Sequence, residues 1–375
     1  TNDKNDYFHH DMQRRKFLKN SAMASGALAL SPLTKAGIFD ALPANLLPRW
    51  RGFNLLEKFS TDRPEWSTSY KEQDFELIQE WGFDFARLPM SYLCWMTQDD
   101  WMKHDTPIIS NQKGIDEIDQ AINFGKQYKV HVQLNMHRIQ GYCVSQDFIE
   151  PMNIWEDQKA LNAATWQWRF FANRYKGISN ENLSFDLINE PAGIEPETYV
   201  RVITHIVQAI REEDPQRLII ADGLMYGTRP VVGLANLNIG QSTRGYSPPE
   251  LSHYKTSPAV KSTTVPTWPM MIDGILWDKN KLYRDYIQPW QKLQAQGVGI
   301  HVGEWGCFKY TPHKVTLKWM RSWLSLWKQA GWGWALWNLR GHFGIIDSKR
   351  EDIMYENYKG LLLDRKMLRV LQNYG

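Results

Sequence analysis

Cysteine is scarce, with Cys94, Cys143 and Cys307 the only three among 375 residues, and their spacing matches no metal-ligand motif. A fold built on disulfides is not expected. Excess charge of one sign is missing too: Lys plus Arg total 44 against 41 for Asp plus Glu, so nothing electrostatic argues for nucleic acid or an anionic membrane. A neutral or mixed-charge partner is the expectation. Long hydrophobic runs are also absent, since the stretch Ser21 to Leu33 is too short and too rich in Ser, Ala and Gly to stay in a bilayer. No internal repeat, low-complexity tract or linker interrupts residues 45–375, which read as one domain.

What precedes that domain has its own signature. Arg14-Arg15-Lys16-Phe17-Leu18-Lys19, followed by the weakly apolar Ser21 to Leu33, resembles a twin-arginine export signal. Met12 stands just before it, residues 1–11 read as upstream sequence, and small residues place cleavage near Ala36. Export to the periplasm or beyond is expected, and a chain exported already folded from a reducing cytoplasm agrees with few cysteines. The alternative is a basic amphipathic helix packed on the domain.

Aromatic residues are abundant instead: 18 Trp, 16 Tyr and 15 Phe. Most must be core. A minority can line a groove whose flat apolar faces stack on a ligand, and sugar rings with axial C–H faces suit such a groove.

From about residue 45, short β-rich runs alternate with longer amphipathic ones, as in βαβ units around a parallel sheet. Eight strands are expected: Trp50 to Asn54, Phe83 to Pro89, Val130 to Asn135, Leu183 to Asp186, Leu218 to Ala221, Leu237 to Gln241, Gly299 to Val302 and Gly333 to Trp337. Tyr199, Val202, Ile203, Ile206 and Ile210 recur at helical steps, as do Leu317, Met320, Leu324 and Trp327. Eight such units make a (β/α)8 TIM barrel, an α/β fold, with long loops after strands 6 (Ser247 to Pro269) and 8 (Gly341 to Leu363).

In such a barrel, polar residues at strand ends gather at one mouth. They are Arg87, His137, Asn189 with Glu190, Arg244 with Tyr246, Glu304 and Trp337. Glutamates ending the fourth and seventh strands can face each other across the mouth, as glycoside hydrolysis with retention requires. One carboxylate reaches the anomeric carbon while the other protonates the departing oxygen, about 5–5.5 Å away; an inverting pair stands roughly 6.5–9.5 Å apart to admit water. An amide beside the acid can bond the sugar 2-hydroxyl more strongly in the transition state, and Asn189 has that position.

These pieces carry a resemblance. Arg51-Gly52-Phe53-Asn54, Ala86-Arg87-Leu88-Pro89, Met136-His137, Asn189-Glu190-Pro191, Gly303-Glu304-Trp305-Gly306 and Ala335-Leu336-Trp337-Asn338 occur in an order similar to family 5 glycoside hydrolases, over residues 49–375. The resemblance implies that Glu190 is acid/base, Glu304 is nucleophile and Arg87 keeps Glu304 ionised, whereas Glu190 should sit where ionisation is less favourable. It further implies that His137 and Asn189 contact the central sugar, that Trp337 is its stacking floor, and that neither metal nor organic cofactor takes part.

One position departs from the family pattern. Where the family shows His-Xaa-Tyr after the sixth strand, this chain has Arg244-Gly245-Tyr246, or, on another alignment, His253 with Tyr254. Trp95, Trp101, Trp155 and Trp268 fall in loops and are candidates for outer sugar subsites or for loop anchors. The activity implied is retaining hydrolysis of a β-linked oligo- or polysaccharide, endo-acting in preference to exo-acting. A non-catalytic carbohydrate-binding barrel is the alternative of another class, and a metal-dependent hydrolase lacks the clustered His and Asp ligands it needs.

Overall fold

The computed structural model describes residues 45–62, 67–145, 148–256 and 264–374. The twin-arginine-like segment and its cleavage site lie outside these residues, as does part of the loop after the sixth strand.

Eight parallel strands close into a barrel: β1 (Arg51–Asn54), β2 (Phe85–Ser91), β3 (His131–Ile139), β4 (Leu183–Asp186), β5 (Ile219–Asp222), β6 (Gly240–Gly245), β7 (Ile300–Trp305) and β8 (Gly333–Leu336). Each pairs with the next in sequence, and β8 closes on β1 through Arg51↔Trp334, Gly52↔Ala335 and Phe53↔Leu336. Helices α1 (Glu72–Glu80), α2 (Gln112–Tyr128), α3 (Gln158–Arg174), α4 (Pro196–Glu213), α5 (Gln288–Gln294), α6 (His313–Ala330) and α7 (Arg365–Tyr374) connect and cover them. The expected fold is present, and among the described residues no helix is long and apolar enough to cross a membrane.

Local chemistry explains the elements. In α4 a proline opens the first turn, where its missing N–H leaves no bond unmade, and Tyr199, Val202, Ile203, Ile206 and Ile210 form one buried stripe. Burying each such side chain contributes about 1.5–3 kcal/mol. Helix α6 stops at Gly331, whose φ of 75° suits a residue without Cβ. The sixth strand departs from expectation: Val232–Leu237 forms a 3-10 helix, Asn238 turns left-handed, and β6 starts only at Gly240. Leu237 supplies apolar character but closes a short turn packed on α4.

Ten of the tryptophans are essentially inaccessible, which answers what most of them do. Trp305 of β7 meets Trp327 of α6 edge-on at 4.9 Å and Trp334 of β8 at 5.4 Å, while Trp323 stacks on Trp327 at 5.1 Å. The main core thus lies between barrel and helices. Trp332 and Trp334 belong to that core and Trp337 does not, as strand alternation implies.

The side chains that point inward alternate along each strand. On β2 they are Phe85 and Arg87, with Ala86, Leu88 and Met90 packed outward into the core. Strand β7 breaks this rule to useful effect. Relative to β6, Val302 pairs with Thr243 but Glu304 pairs with Arg244, so Gly303 is the extra residue of a β-bulge. His301 already points inward against Phe85, and strict alternation would send Glu304 outward. The bulge turns it back into the mouth.

Candidate active site

All eight residues singled out from the sequence converge at the C-terminal mouth. Glu304 is held first. Arg87 Nη1 donates to its Oε1 at 2.7 Å, the Tyr246 hydroxyl to its Oε2 at 3.2 Å, and His137 Nδ1 lies 4.0 Å from Oε1. Arg87 also donates to Asp186 (2.9 Å), Asn54 (3.0 Å) and Asn189 (2.8 Å). Burial opposes its charge, but Asp186 and Glu304 outweigh burial and keep the guanidinium ionised.

Glu190 occupies a left-handed backbone conformation, φ 48°, rare for a residue with a side chain and costing on the order of 1–3 kcal/mol. Three bonds hold that turn. The Glu190 N–H donates to Asp222 Oδ2 at 2.8 Å, and the Tyr142 hydroxyl donates to the Glu190 carbonyl at 2.9 Å while accepting from the Ala192 N–H at 3.1 Å. Asn189 is oriented unambiguously. Its Oδ1 accepts from both Arg87 and Arg244, so its NH2 group faces the other way, 3.4 Å from His137 Nε2.

Arg244 joins the two glutamates. Its Nε donates to Glu190 Oε1 at 3.0 Å, and its Nη2 lies 3.5 Å from Glu304 Oε1. Its other bonds go to Ser242 Oγ (2.9 Å), Asn189 Oδ1 (3.0 Å), the Thr243 carbonyl (3.2 Å) and both oxygens of Asp222. Two glycines make room. A Cβ at Gly303 would fall 2.8 Å from Arg244 Nη1, and one at Gly227 would fall 2.7 Å from its Cγ. Burial disfavours the guanidinium charge, and Asp222, Glu304 and Glu190 override it.

The expected contrast between the two glutamates is therefore not one of charged neighbour against none. Each carboxylate has an arginine, and both are buried. The alternative alignment also resolves: Tyr246 is the tyrosine on Glu304, Tyr254 is buried elsewhere, and His253 lies against Tyr246 with ring centroids 5.0 Å apart.

Trp337 packs with Tyr246, Phe308 and Phe343, and its ring lies 5.6 Å from His137, nearly parallel. Phe59, 4.6 Å from His137 and 5.6 Å from Trp337, completes this wall and was not anticipated. Asp186 and Asp222 were passed over as well, although both end apolar strand runs as the glutamates do. Among the loop tryptophans, the anchor reading holds. Trp95 bonds Gln167, Trp268 bonds Ser322, Trp155 sits between Tyr142 and Tyr199, and Trp101 is buried. None is an open platform for a sugar.

Comparison with known proteins agrees with this geometry. The model of cellulase, glycosyl hydrolase family 5, matches residues 47–343. Endoglucanase C of Acetivibrio thermocellus is 24% identical over 321 residues, covering 78% of this chain and 91% of its own. A crystal structure described as that of a glycoside hydrolase is 35% identical at a TM-score of 0.80, covering 87% of this chain and 99% of its own. Endoglucanase Cel5A from Thermotoga maritima, at 20% identity and a TM-score of 0.68 over 86% of this chain and 96% of its own, shares the fold. The chain belongs to glycosyl hydrolase family 5 and is a glycosyl hydrolase.

Proposed function

We propose that the protein is a retaining endo-β-glucanase in which Glu304 is the nucleophile and Glu190 the acid/base. The observation that carries this reading is the shared guanidinium of Arg244, which touches Glu190 Oε1 at 3.0 Å and stands 3.5 Å from Glu304 Oε1 beside an aromatic wall. Glu304, ionised beside Arg87 and oriented by Tyr246, attacks the anomeric carbon while Glu190 protonates the departing oxygen. Water then enters, Glu190 takes its proton, and the glycosyl–enzyme ester breaks with configuration retained. The NH2 group of Asn189, on the His137 side of its amide, bonds the sugar 2-hydroxyl, and Trp337 stacks under the ring. The endoglucanases among the relatives support endo action on a β-glucan.

The test is hydrolysis of a soluble β-glucan followed by NMR of the first product and by viscosity. A β-anomer and a fall in viscosity ahead of reducing ends are expected. An α-anomer overturns retention, early monosaccharide or disaccharide release overturns endo action, and retention on the glucan without release makes the protein a binder. The segment around Arg14-Arg15 supports export to the periplasm or beyond. A reporter fused to residues 1–45 should leave the cytoplasm, and replacing both arginines by lysine should keep it there.

A further inference from the structure

The acid/base reading of Glu190 meets a difficulty in the site itself. Before the first step Glu190 must carry a proton, yet Arg244 Nε lies 3.0 Å from its Oε1. A guanidinium at that distance favours the carboxylate. Something must blunt that charge.

The two arginines of the mouth differ in how they are neutralised. Arg87 gives Asp186 a single bond through Nε, and Asp186 Oδ1 has no hydrogen-bond partner among the described residues. Burial, and then Asp222, push the Asp186 carboxyl up, against the pull of Arg87. Arg87 therefore keeps charge to spend on Glu304. Arg244 instead closes a two-bond fork on Asp222, Nη1 to Oδ1 at 3.0 Å and Nη2 to Oδ2, in full burial. The same Oδ2 accepts the Glu190 N–H at 2.8 Å. The fork sets the negative charge of Asp222 against the positive charge of Arg244 directly beside Glu190.

We propose that Asp222 is a positioning residue of the hydrolytic reaction: by clamping Arg244 and the Glu190 amide together, it lets Glu190 hold the proton that it donates. This rests on the acid/base reading of Glu190. The charged and titratable groups around Glu190 are Arg244 on β6, Asp222 on β5 and Glu304 on β7, with Arg87 on β2 and His137 on β3 reaching it through Asn189. Asp186 lies beneath on β4, Tyr142 bonds the Glu190 carbonyl, and Tyr226 donates its N–H to the neighbouring Pro191. The Asp222–Arg244 ion pair beside Glu190 can be altered from either side.

That gives a test by sign. The basic limb of kcat/KM reports loss of the acid's proton in free enzyme. In D222N the charge of Arg244 is released onto Glu190, the carboxylate is favoured, and the basic limb moves about one pH unit toward acid. In R244M the anion of Asp222 remains alone, and the limb moves about as far the other way. The double variant D222N/R244M, which removes both charges, returns to the wild-type limb. All are read with 4-nitrophenyl β-cellobioside. Limbs that stay in place while rates drop equally at every pH, or that move in the same direction in D222N and R244M, overturn the proposal. Should D222N fail to fold, R244M and the double variant carry the same comparison, and an unmoved limb in R244M overturns it. E190A separates the two readings: with 2,4-dinitrophenyl β-cellobioside, whose leaving group needs no proton, the basic limb should vanish. A limb surviving E190A overturns the acid/base reading itself.

Discussion

The same strands build two chemically opposite ends of one barrel. At the bottom, β2, β3 and β7 contribute Phe85, His131 and His301; at the top they contribute Arg87, His137 and Glu304. Below, Trp50 stacks on His131 at 3.7 Å, Phe85 lies parallel to His131 at 5.6 Å, and His301 leans on Phe85 at 4.6 Å. Burial pushes both imidazoles down to about 3, so this plug stays neutral. Above, two arginines and four carboxyls share one buried network. The bottom gains stability by excluding charge, and the top keeps charge only because each group has a partner, which is an arrangement for reaction more than for stability.

Trimming the Glu304 side chain at the top should cost activity and little stability, because Arg87 and Arg244 keep Asp186 and Asp222 as partners. Glu304→Ala is expected to lower kcat/KM by roughly four orders of magnitude or more while glucan affinity and Tm persist. Activity above a few per cent in a clean preparation would defeat the nucleophile assignment. Arg87→Lys keeps a charge but not the four-way geometry of Arg87, and a loss of roughly 100- to 1000-fold in kcat/KM should follow. A lysine variant within tenfold of wild type would mean that charge alone suffices.

Breaking the bottom should do the reverse. Phe85→Ala removes a fully buried ring between the imidazoles, and denaturant unfolding should register a loss of about 3–5 kcal/mol with kcat at 25 °C nearly unchanged. A large fall in kcat would show that the two ends are coupled. The smallest effect is a pH slope. His301 is held near 3 when folded and near its ordinary 6.5 when unfolded, so its contribution is complete above 6.5 and is lost as pH falls toward 3. Each such imidazole steepens the loss by about 1.4 kcal/mol per pH unit, and His301→Leu should remove one proton's worth of slope between pH 6 and 4. An unchanged slope would place the acid sensitivity elsewhere.

Much of this was legible beforehand, and particular residues show why. An apolar run ending abruptly in Asn189-Glu190 or Gly303-Glu304 is a local pattern, and in a parallel barrel strand ends share one face, so every such residue arrives at the same mouth. The loop tryptophans carry no such signal, because a ring anchoring a loop and a ring offered to a sugar have the same neighbours in sequence. Leu237 misled for a related reason: apolar content in a short window does not separate a strand from a turn packed on a helix.

The sequence by itself determined the barrel class, the strands that end in acids and the family, because periodicity and strand-end polarity are properties of neighbouring residues. Only tertiary structure decided that a bulge at Gly303 turns Glu304 inward and that Arg244 forks onto Asp222 on the adjoining strand. Both depend on register between neighbouring strands, and register is set by packing and hydrogen bonding across the whole closed sheet.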